Sequence, residues 1–209
     1  APLDMDQYGR LAPAVNRFPS AAGSCGFRPL ADYVHGLGLK FGIHIMRGIP
    51  RQAVHANTPI LGTTVRAAEI AHRSSICDWN TDMYGVDASK PGAQAWYDSL
   101  FQMYAEWNVD YVKVDDIARS YSQGEIEQIR RAIDTCGREM ALSLSPGPAP
   151  LAQAEHLKAN ANLWRLSDDF WDRWQDLYRA FDLCHAWEAV QGARAGRFAW
   201  PSTRTSLHS

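Results

Sequence analysis

The sequence lacks several features that would place it in a broad class at once. No apolar run approaches the ~20 residues that a membrane-spanning helix requires. The charge is balanced, with 21 Lys and Arg against 23 Asp and Glu, and the formal net charge is −2. Such a chain offers no general basic surface for nucleic acid or an anionic membrane. We therefore expect neither nucleic acid nor a membrane among its partners.

Metal and redox motifs are also missing. The four cysteines form no CxxC pair, and the seven histidines form no HxH or HxxxH pair. The acids show no EF-hand spacing, and a glycine-rich phosphate loop is absent. We expect no metal and no cofactor. The spacing leaves open whether the cysteines are free thiols or form long-range disulfides.

The chain begins Ala1-Pro2-Leu3, without a methionine and without a signal-peptide pattern. We interpret it as a processed or truncated product. Its parent could be secreted or periplasmic, and the sequence leaves the location open. With 209 residues and 46% hydrophobic content, one domain with a sizeable core is the default expectation.

What the sequence does contain is an alternation of strand-like and helix-like segments. The predicted strands are 39–45, 111–114, 140–144 and 162–166, and the predicted helices are 29–37, 91–107, 124–136, 151–158 and 170–189. Alternating elements with short connections indicate a parallel sheet with right-handed crossovers. Because a closed barrel needs eight strands, the predicted α/β fold is either an open sheet or a partial (β/α)8 barrel.

Residues 46–90 form a long interval without a clear period. Long structureless segments of compact domains are usually functional, so we predict a loop excursion over the active face. Trp79 in this interval could stack on a sugar, and ordinary packing within the loop is the alternative.

Two acidic clusters follow predicted strands. Asp115 and Asp116 directly follow the predicted strand 111–114, and Asp115 comes two residues after Lys113. Asp168 and Asp169 follow the predicted strand 162–166. Barrel active sites lie at the carboxyl ends of strands, and two carboxylates are the minimum for glycosidic bond cleavage. The alternative is that Asp115 and Asp169 only cap the helices that follow. We interpret Asp116 and Asp168 as caps or as supporting groups.

Several segments, in the right order, resemble glycoside hydrolase family 27, the α-galactosidase and α-N-acetylgalactosaminidase family. The resemblance covers roughly residues 8–192. The residues that carry it are Tyr8–Leu11, Arg17–Ser20, Leu30–His44, Lys113–Asp115, and Trp164-Arg165 followed by Asp169.

The resemblance implies a retaining glycosidase that acts on terminal α-D-galactosides or α-N-acetylgalactosaminides. It makes Asp115 the nucleophile and Asp169 the general acid/base. Lys113 and Arg165 would bind sugar hydroxyls or the carboxylates. Ser145 falls where family members place a residue near the sugar 2-position, although Pro146 and Gly147 depart from the family pattern. His44 falls at a strand-end position that is often aromatic or polar, and a core histidine is the alternative reading.

The resemblance also implies that this chain is a piece of the barrel. It matches about four βα units, strands three to six, so residues 1–192 would form a partial catalytic domain. An acidic pair that binds the galactose 4- and 6-hydroxyls would precede Ala1. Residues 193–209 are divergent, and we expect a poorly ordered tail. The alternative to an enzyme is therefore an inert barrel segment with at most weak carbohydrate binding, prone to self-association through its open edges.

Overall fold

The computed structural model describes residues 3–191 of the chain. The strands are β1 (Gly42–Met46), β2 (Ile49–Pro50), β3 (Ala71–His72), β4 (Met83–Val86), β5 (Tyr111–Asp115), β6 (Ala141–Leu144) and β7 (Leu163–Trp164). The α-helices are α1 (Arg28–Gly36), α2 (Arg51–Ala56), α3 (Ala67–Ile70), α4 (Ala93–Glu106), α5 (Gln123–Thr135), α6 (Ala154–Asn160) and α7 (Trp174–Gln191). Short 3-10 helices occupy Pro19–Ser24 and Leu151–Gln153.

Four strands form one parallel sheet in the order β1-β5-β6-β7. Helices α4, α5 and α6 lie in the connections that lead into β5, β6 and β7. This arrangement confirms the predicted α/β fold with four parallel strands. Parallel strands joined by helices that cover one face are the repeating unit of a (β/α)8 barrel, and the sheet corresponds to part of one.

The two faces of the sheet differ in burial, as the period of two in β5 requires. Val112 and Val114 are fully buried and belong to the same core as the apolar sides of α4 and α5. Tyr111, Lys113 and Asp115 alternate with them and are partly exposed on the other face. The helix-covered face therefore supplies the stability, and the opposite face is free to carry polar groups.

Both margins of the sheet are open within residues 3–191. There β1 pairs with β5 alone, and β7 pairs with β6 alone. Beside β1, the side chains of Tyr33, Leu37 and Leu39 are exposed by 60% or more, although each is apolar or aromatic. An uncovered apolar strip beside an unpaired strand edge is a surface that natural sheets usually cover or pair.

The prediction of a structureless loop over residues 46–90 is wrong. The interval contains α2, α3 and an antiparallel sheet of three strands, with β4 between β2 and β3. It also has core residues of its own, since Ile49, Ile60 and Ile70 are no more than 1% exposed. Its strands and helices have two to six residues each, which is too short for periodicity to reveal them.

The other predicted boundaries differ by a few residues, with the largest difference at the last helix. The prediction began it at Phe170, whereas α7 begins at Trp174, where the Arg173 side chain bonds Asp176 in the first turn. The predicted tail, 193–209, lies outside the described residues. Cys25, Cys77, Cys136 and Cys184 are free thiols. Between residues 3 and 191, every helix is too short or too polar to cross a membrane.

The buried carboxylate of Asp110 fixes the end of the parallel sheet at which its strands begin. Asp110 precedes β5, and its side chain is 5% exposed. It accepts hydrogen bonds from the Phe41 N–H at 2.9 Å and from Arg138 Nη2 at 2.7 Å, and it contacts His35 Nε2 at 2.6 Å. Burial alone would raise the pKa of Asp110, but these hydrogen bonds and the charge of Arg138 outweigh it and lower the pKa.

Asp110→Asn is expected to reduce the free energy of unfolding at neutral pH by about 1–3 kcal/mol, because it weakens charge-assisted bonds at a buried site. The folded-state pKa of Asp110 is depressed, so its contribution is present above the unfolded pKa of about 3.9 and is lost as the pH falls through the folded pKa. Urea unfolding at several pH values measures both effects. The substitution should cost less at acidic pH, and an equal loss at every pH would contradict this account.

Candidate active site

The candidate site lies where the parallel strands end, and their register decides which residues are neighbours. His44, Lys113 and Ser143 are partners across β1, β5 and β6. Two residues further along, Met46 is the partner of Asp115. Since alternate residues of a strand project to the same face, His44 and Lys113 lie one layer below Asp115, on the face away from the helices.

The backbone ladder continues for one residue beyond β6 and β7. The Ser145 N–H donates to the Val114 carbonyl at 2.9 Å, and the Arg165 N–H donates to the Leu144 carbonyl at 3.3 Å. Ser145 and Arg165 therefore lie in the same layer as Asp115. The fold thus brings five of the predicted residues, His44, Lys113, Asp115, Ser145 and Arg165, into two adjacent layers at one edge of the sheet.

Asp115 is held from two sides and remains partly accessible, with a side chain that is 17% exposed. Its Oδ1 accepts a hydrogen bond from the Asp116 N–H at 3.0 Å. Its Oδ2 lies 3.6 Å from His44 Nε2. One oxygen is therefore oriented by the backbone, and the other faces an imidazole that is itself half exposed.

Asp169 lies on the rim of the site, beyond β7. Its Oδ1 accepts a hydrogen bond from Arg165 Nη1 at 2.7 Å, and its side chain is 65% exposed. Arg165 thus connects the layer of Asp115 to the second predicted acid. The contact links the arginine and the aspartate that the sequence places four residues apart.

Trp79 reaches the same rim from the segment between β3 and β4. The Arg119 guanidinium carbon lies 5.3 Å from the centre of a Trp79 ring, and Arg119 also pairs with Asp168. Trp79 is half exposed, so an aromatic face is available beside this ion pair. Arg119 follows β5 by four residues, and the sequence analysis did not single it out, because an isolated arginine in a polar loop carries no pattern.

The helix-capping alternative for the acids is excluded by the helix positions. The N-cap of α5 is Ser122, well after Asp115 and Asp116. The first residue of α7 is Trp174, well after Asp168 and Asp169. Asp116 and Asp168 are instead partners of arginines, Arg47 and Arg119 respectively, so their interpretation as caps is wrong and that as supporting groups is retained.

Ser145 is almost fully buried, at 1% exposed, and its Oγ has no hydrogen-bond partner among the described residues. The loop that follows packs tightly against the end of β7: a Cβ on Gly147 would lie 2.0 Å from the Ser167 carbonyl oxygen. The departure at Gly147 from the family pattern is thus explained by a close backbone approach that only glycine permits. The assignment of Ser145 to the sugar 2-position stays a prediction.

The site also has a buried polar support that the sequence analysis missed. Arg47 is 5% exposed and forms ion pairs with Asp116 and Glu125 at 2.7 Å each. Burial raises the pKa of Glu125, although Arg47, Tyr97 and the Val86 N–H favour its charged form. Arg47 lies in the interval predicted to be a loop, and Glu125 lies in the first turn of α5, a common place for an exposed acid. Neither position signals burial.

Within residues 3–191, His, Cys, Asp and Glu do not group in threes in a way that could hold a metal ion. The Cys77 thiol is buried. Its pKa is raised, first by burial and further by the charges of Asp116 and Asp115, against hydrogen bonds from the Trp79 and Asn80 backbone. The side chains gathered at this edge are carboxylates, an imidazole and cations. Carboxylates at the carboxyl ends of parallel strands, backed by helices, are typical of barrel glycoside hydrolases.

This chain is similar to solved structures of glycosidases. A β-L-arabinopyranosidase of glycoside hydrolase family 27 from Geobacillus stearothermophilus, solved with arabinose, is 65% identical with a TM-score of 0.88. The match covers 91% of this chain and 45% of that one. A putative α-N-acetylgalactosaminidase from Bacillus halodurans is 57% identical with a TM-score of 0.76, over 96% of this chain and 46% of that one.

Comparisons of the sequence with known proteins also find glycosidases. The family model for alpha galactosidase A matches residues 84–203. The α-N-acetylgalactosaminidase of Gallus gallus is 30% identical over 93% of this chain and 40% of its own length. An α-galactosidase of Hypocrea jecorina is 28% identical over 68% of this chain. The chain spans less than half the length of these relatives, and it belongs to glycoside hydrolase family 27.

Proposed function

We propose that this chain is the central part of the catalytic barrel of a retaining glycosidase, with Asp115 as nucleophile and Asp169 as acid/base. The observation that carries the proposal is the setting of Asp115. It ends a parallel strand, one of its oxygens accepts a backbone N–H, and Lys113 and His44 lie one layer below it. Arg165 links the same layer to Asp169.

The proposed reaction has two steps. In the first, an Asp115 oxygen attacks the anomeric carbon while Asp169 gives its proton to the leaving glycosidic oxygen, so a glycosyl ester forms and the aglycone departs as an alcohol. In the second, Asp169 takes a proton from water, the hydroxyl adds to the anomeric carbon, and Asp115 leaves as a carboxylate. Two inversions give net retention, for which the two carboxyl groups must lie about 5–5.5 Å apart when the site is assembled.

The proposed substrates are terminal α-D-galactosides or α-N-acetylgalactosaminides. Ser145 is proposed to leave room at the sugar 2-position, and Trp79 to offer a stacking face at the rim. A second candidate, β-L-arabinopyranosides, is favoured by the 65% identity to an enzyme of that name. This sugar has the ring configuration of galactose without its hydroxymethyl group. Turnover of the three nitrophenyl glycosides by the longer parent protein would rank them.

Asp115→Asn in that parent protein is expected to lower kcat by roughly a thousandfold or more, because an amide cannot form the glycosyl ester. The fold should persist, since Asn keeps the oxygen that accepts the Asp116 N–H. Stopped assays and circular dichroism measure the two effects. Asp134→Asn, at an exposed aspartate of α5, is the control and should retain most of the activity; near-normal turnover by Asp115→Asn would contradict the assignment.

Asp169→Ala is expected to slow substrates with poor leaving groups by about 10²–10⁴-fold, and aryl substrates with good leaving groups far less, since those need little protonation. Azide should restore the second step, because it attacks the glycosyl ester without help from a base. The measurement is a series of kcat/KM values against the pKa of the leaving group. Equal losses across the whole series would remove Asp169 from this role.

The 209-residue chain alone is expected to show little or no hydrolysis. Within residues 3–191 the sheet has open margins at β1 and β7, so among these residues the rim that would set the distance between Asp115 and Asp169 lacks neighbours, and misplacement by about 1 Å can cost a hundredfold in rate. The exposed strip of Tyr33, Leu37 and Leu39 should also favour self-association. A nitrophenyl galactoside assay with light scattering tests both expectations. Strong turnover by a monodisperse monomer would refute the partial-barrel interpretation; carbohydrate binding without turnover would support the inert alternative for the isolated chain.

A further inference from the structure

The carboxyl end of β5 is anchored by one buried arginine that reaches it from the segment after β1. Arg47 Nε donates to the Asp116 carbonyl at 2.6 Å, and its Nη2 donates to the Asp116 carboxylate at 2.7 Å. The backbone N–H of Arg47 also donates, to the Asp115 carbonyl at 3.0 Å. Arg47 therefore binds two consecutive backbone carbonyl groups, those of Asp115 and Asp116.

Asp116 has an unusual backbone conformation, with φ of +59°. This left-handed region is disfavoured for residues other than glycine, and asparagine and aspartate tolerate it best. The Asp116 N–H donates to Oδ1 of Asp115 at 3.0 Å, and the left-handed φ sets the direction in which the Asp116 carbonyl and side chain leave this N–H, towards Arg47. Because the N–H belongs to the peptide group between Asp115 and Asp116, its direction, and with it the orientation of the Asp115 carboxylate, depends on the bonds that hold this peptide group and Asp116 in place.

We propose that Arg47 is a positioning residue for Asp115: by clamping the left-handed Asp116 through its carbonyl and its carboxylate, Arg47 directs the Asp116 N–H onto the nucleophile. The proposal rests on the proposed function only for the role of Asp115. The geometry itself is independent of that role.

Arg47 is in turn held rigidly. Its Nη1 donates to Glu125 Oε1 at 2.7 Å and to Ser75 Oγ at 3.0 Å. The other Glu125 oxygen accepts bonds from the Tyr97 hydroxyl and from the Val86 N–H, the latter at 3.2 Å. This network of hydrogen bonds connects α4, β4 and α5, through the Arg47 guanidinium, to the end of β5.

The charges explain why an arginine is needed here. Arg47 and Glu125 are each about 95% buried, and Asp116 is nearly so. One cation faces two carboxylates, and its planar guanidinium donates four hydrogen bonds from three nitrogens, whereas an ammonium has three N–H donors on a single nitrogen. A lysine would keep the positive charge but could not keep this fixed set of bonds.

The first experiment measures the hydrogen bond directly in the 209-residue chain. An amide that donates to a carboxylate shifts downfield as that carboxylate ionises, because the bond becomes charge-assisted. The chemical shift of the Asp116 amide in the isotope-labelled chain should therefore change with pH as Asp115 ionises, and Asp115→Asn should abolish this change. Arg47→Lys is expected to abolish it too, while Arg66→Lys, a change at an exposed arginine, should leave it intact.

A second pair of variants, at Asp116, tests the proposal if Arg47→Lys does not fold. Asp116→Gly keeps the left-handed backbone, the N–H and the bond from Arg47 Nε, so the titrating amide at position 116 should persist. Asp116→Val removes the same carboxylate but resists this conformation, so the signal should be lost. Equal signals in the two variants, or an unchanged signal in folded Arg47→Lys, would overturn the proposal.

The second experiment tests the consequence for catalysis in the longer parent protein. Arg47→Lys is expected to lower kcat by about 10–100-fold with little change in KM, since it displaces the nucleophile and leaves the sugar contacts in place. A rise in KM at unchanged kcat would overturn the catalytic part of the proposal. If Asp115 proves not to be the nucleophile, the amide titration still decides whether Arg47 orients it, so the two failures are distinguishable.

Discussion

The parallel register of β1, β5, β6 and β7 is the constraint on which the rest of the site depends. It places His44 beside Lys113, and it places Asp115, Ser145 and Arg165 in one layer at the ends of three successive strands. The helices on the other face bury Val112 and Val114 and hold that register. A slip of one residue would turn Lys113 and Asp115 into the core and expose the two valines.

A second constraint connects the site to the segment between β1 and α4. This segment has its own small antiparallel sheet, and its contribution to the site is both a surface residue, Trp79, and a buried one, Arg47. It is therefore a structural partner of β5 and also contributes Trp79 beside Arg119. The open margins at β1 and β7 contrast with this tight interior and agree with a chain that spans under half of its relatives.

The fold class, the four parallel strands and the candidate carboxylates could be predicted from the sequence, because each rests on a local pattern. Apolar runs gave the strands, and acids at their ends gave Asp115 and Asp169. The antiparallel sheet at 46–90 could not be predicted, since strands of two to four residues are too short to show a period. The Arg47 network could not either, because burial of Arg47 and Glu125 results from contacts between residues nearly 80 positions apart. Arg119 was missed for the same reason, as its partners Trp79 and Asp168 are distant in sequence.

The central claim is that Asp115 becomes covalently bonded to the sugar. The most direct measurement is to trap the glycosyl ester with an activated fluoro-galactoside in a complete catalytic domain that contains this chain, and to locate the label by peptide mass spectrometry. The account predicts a single label on the peptide that contains Asp115, with loss of the label in Asp115→Asn. A label on Asp169 or on another carboxylate, with Asp115 unmodified, would contradict it.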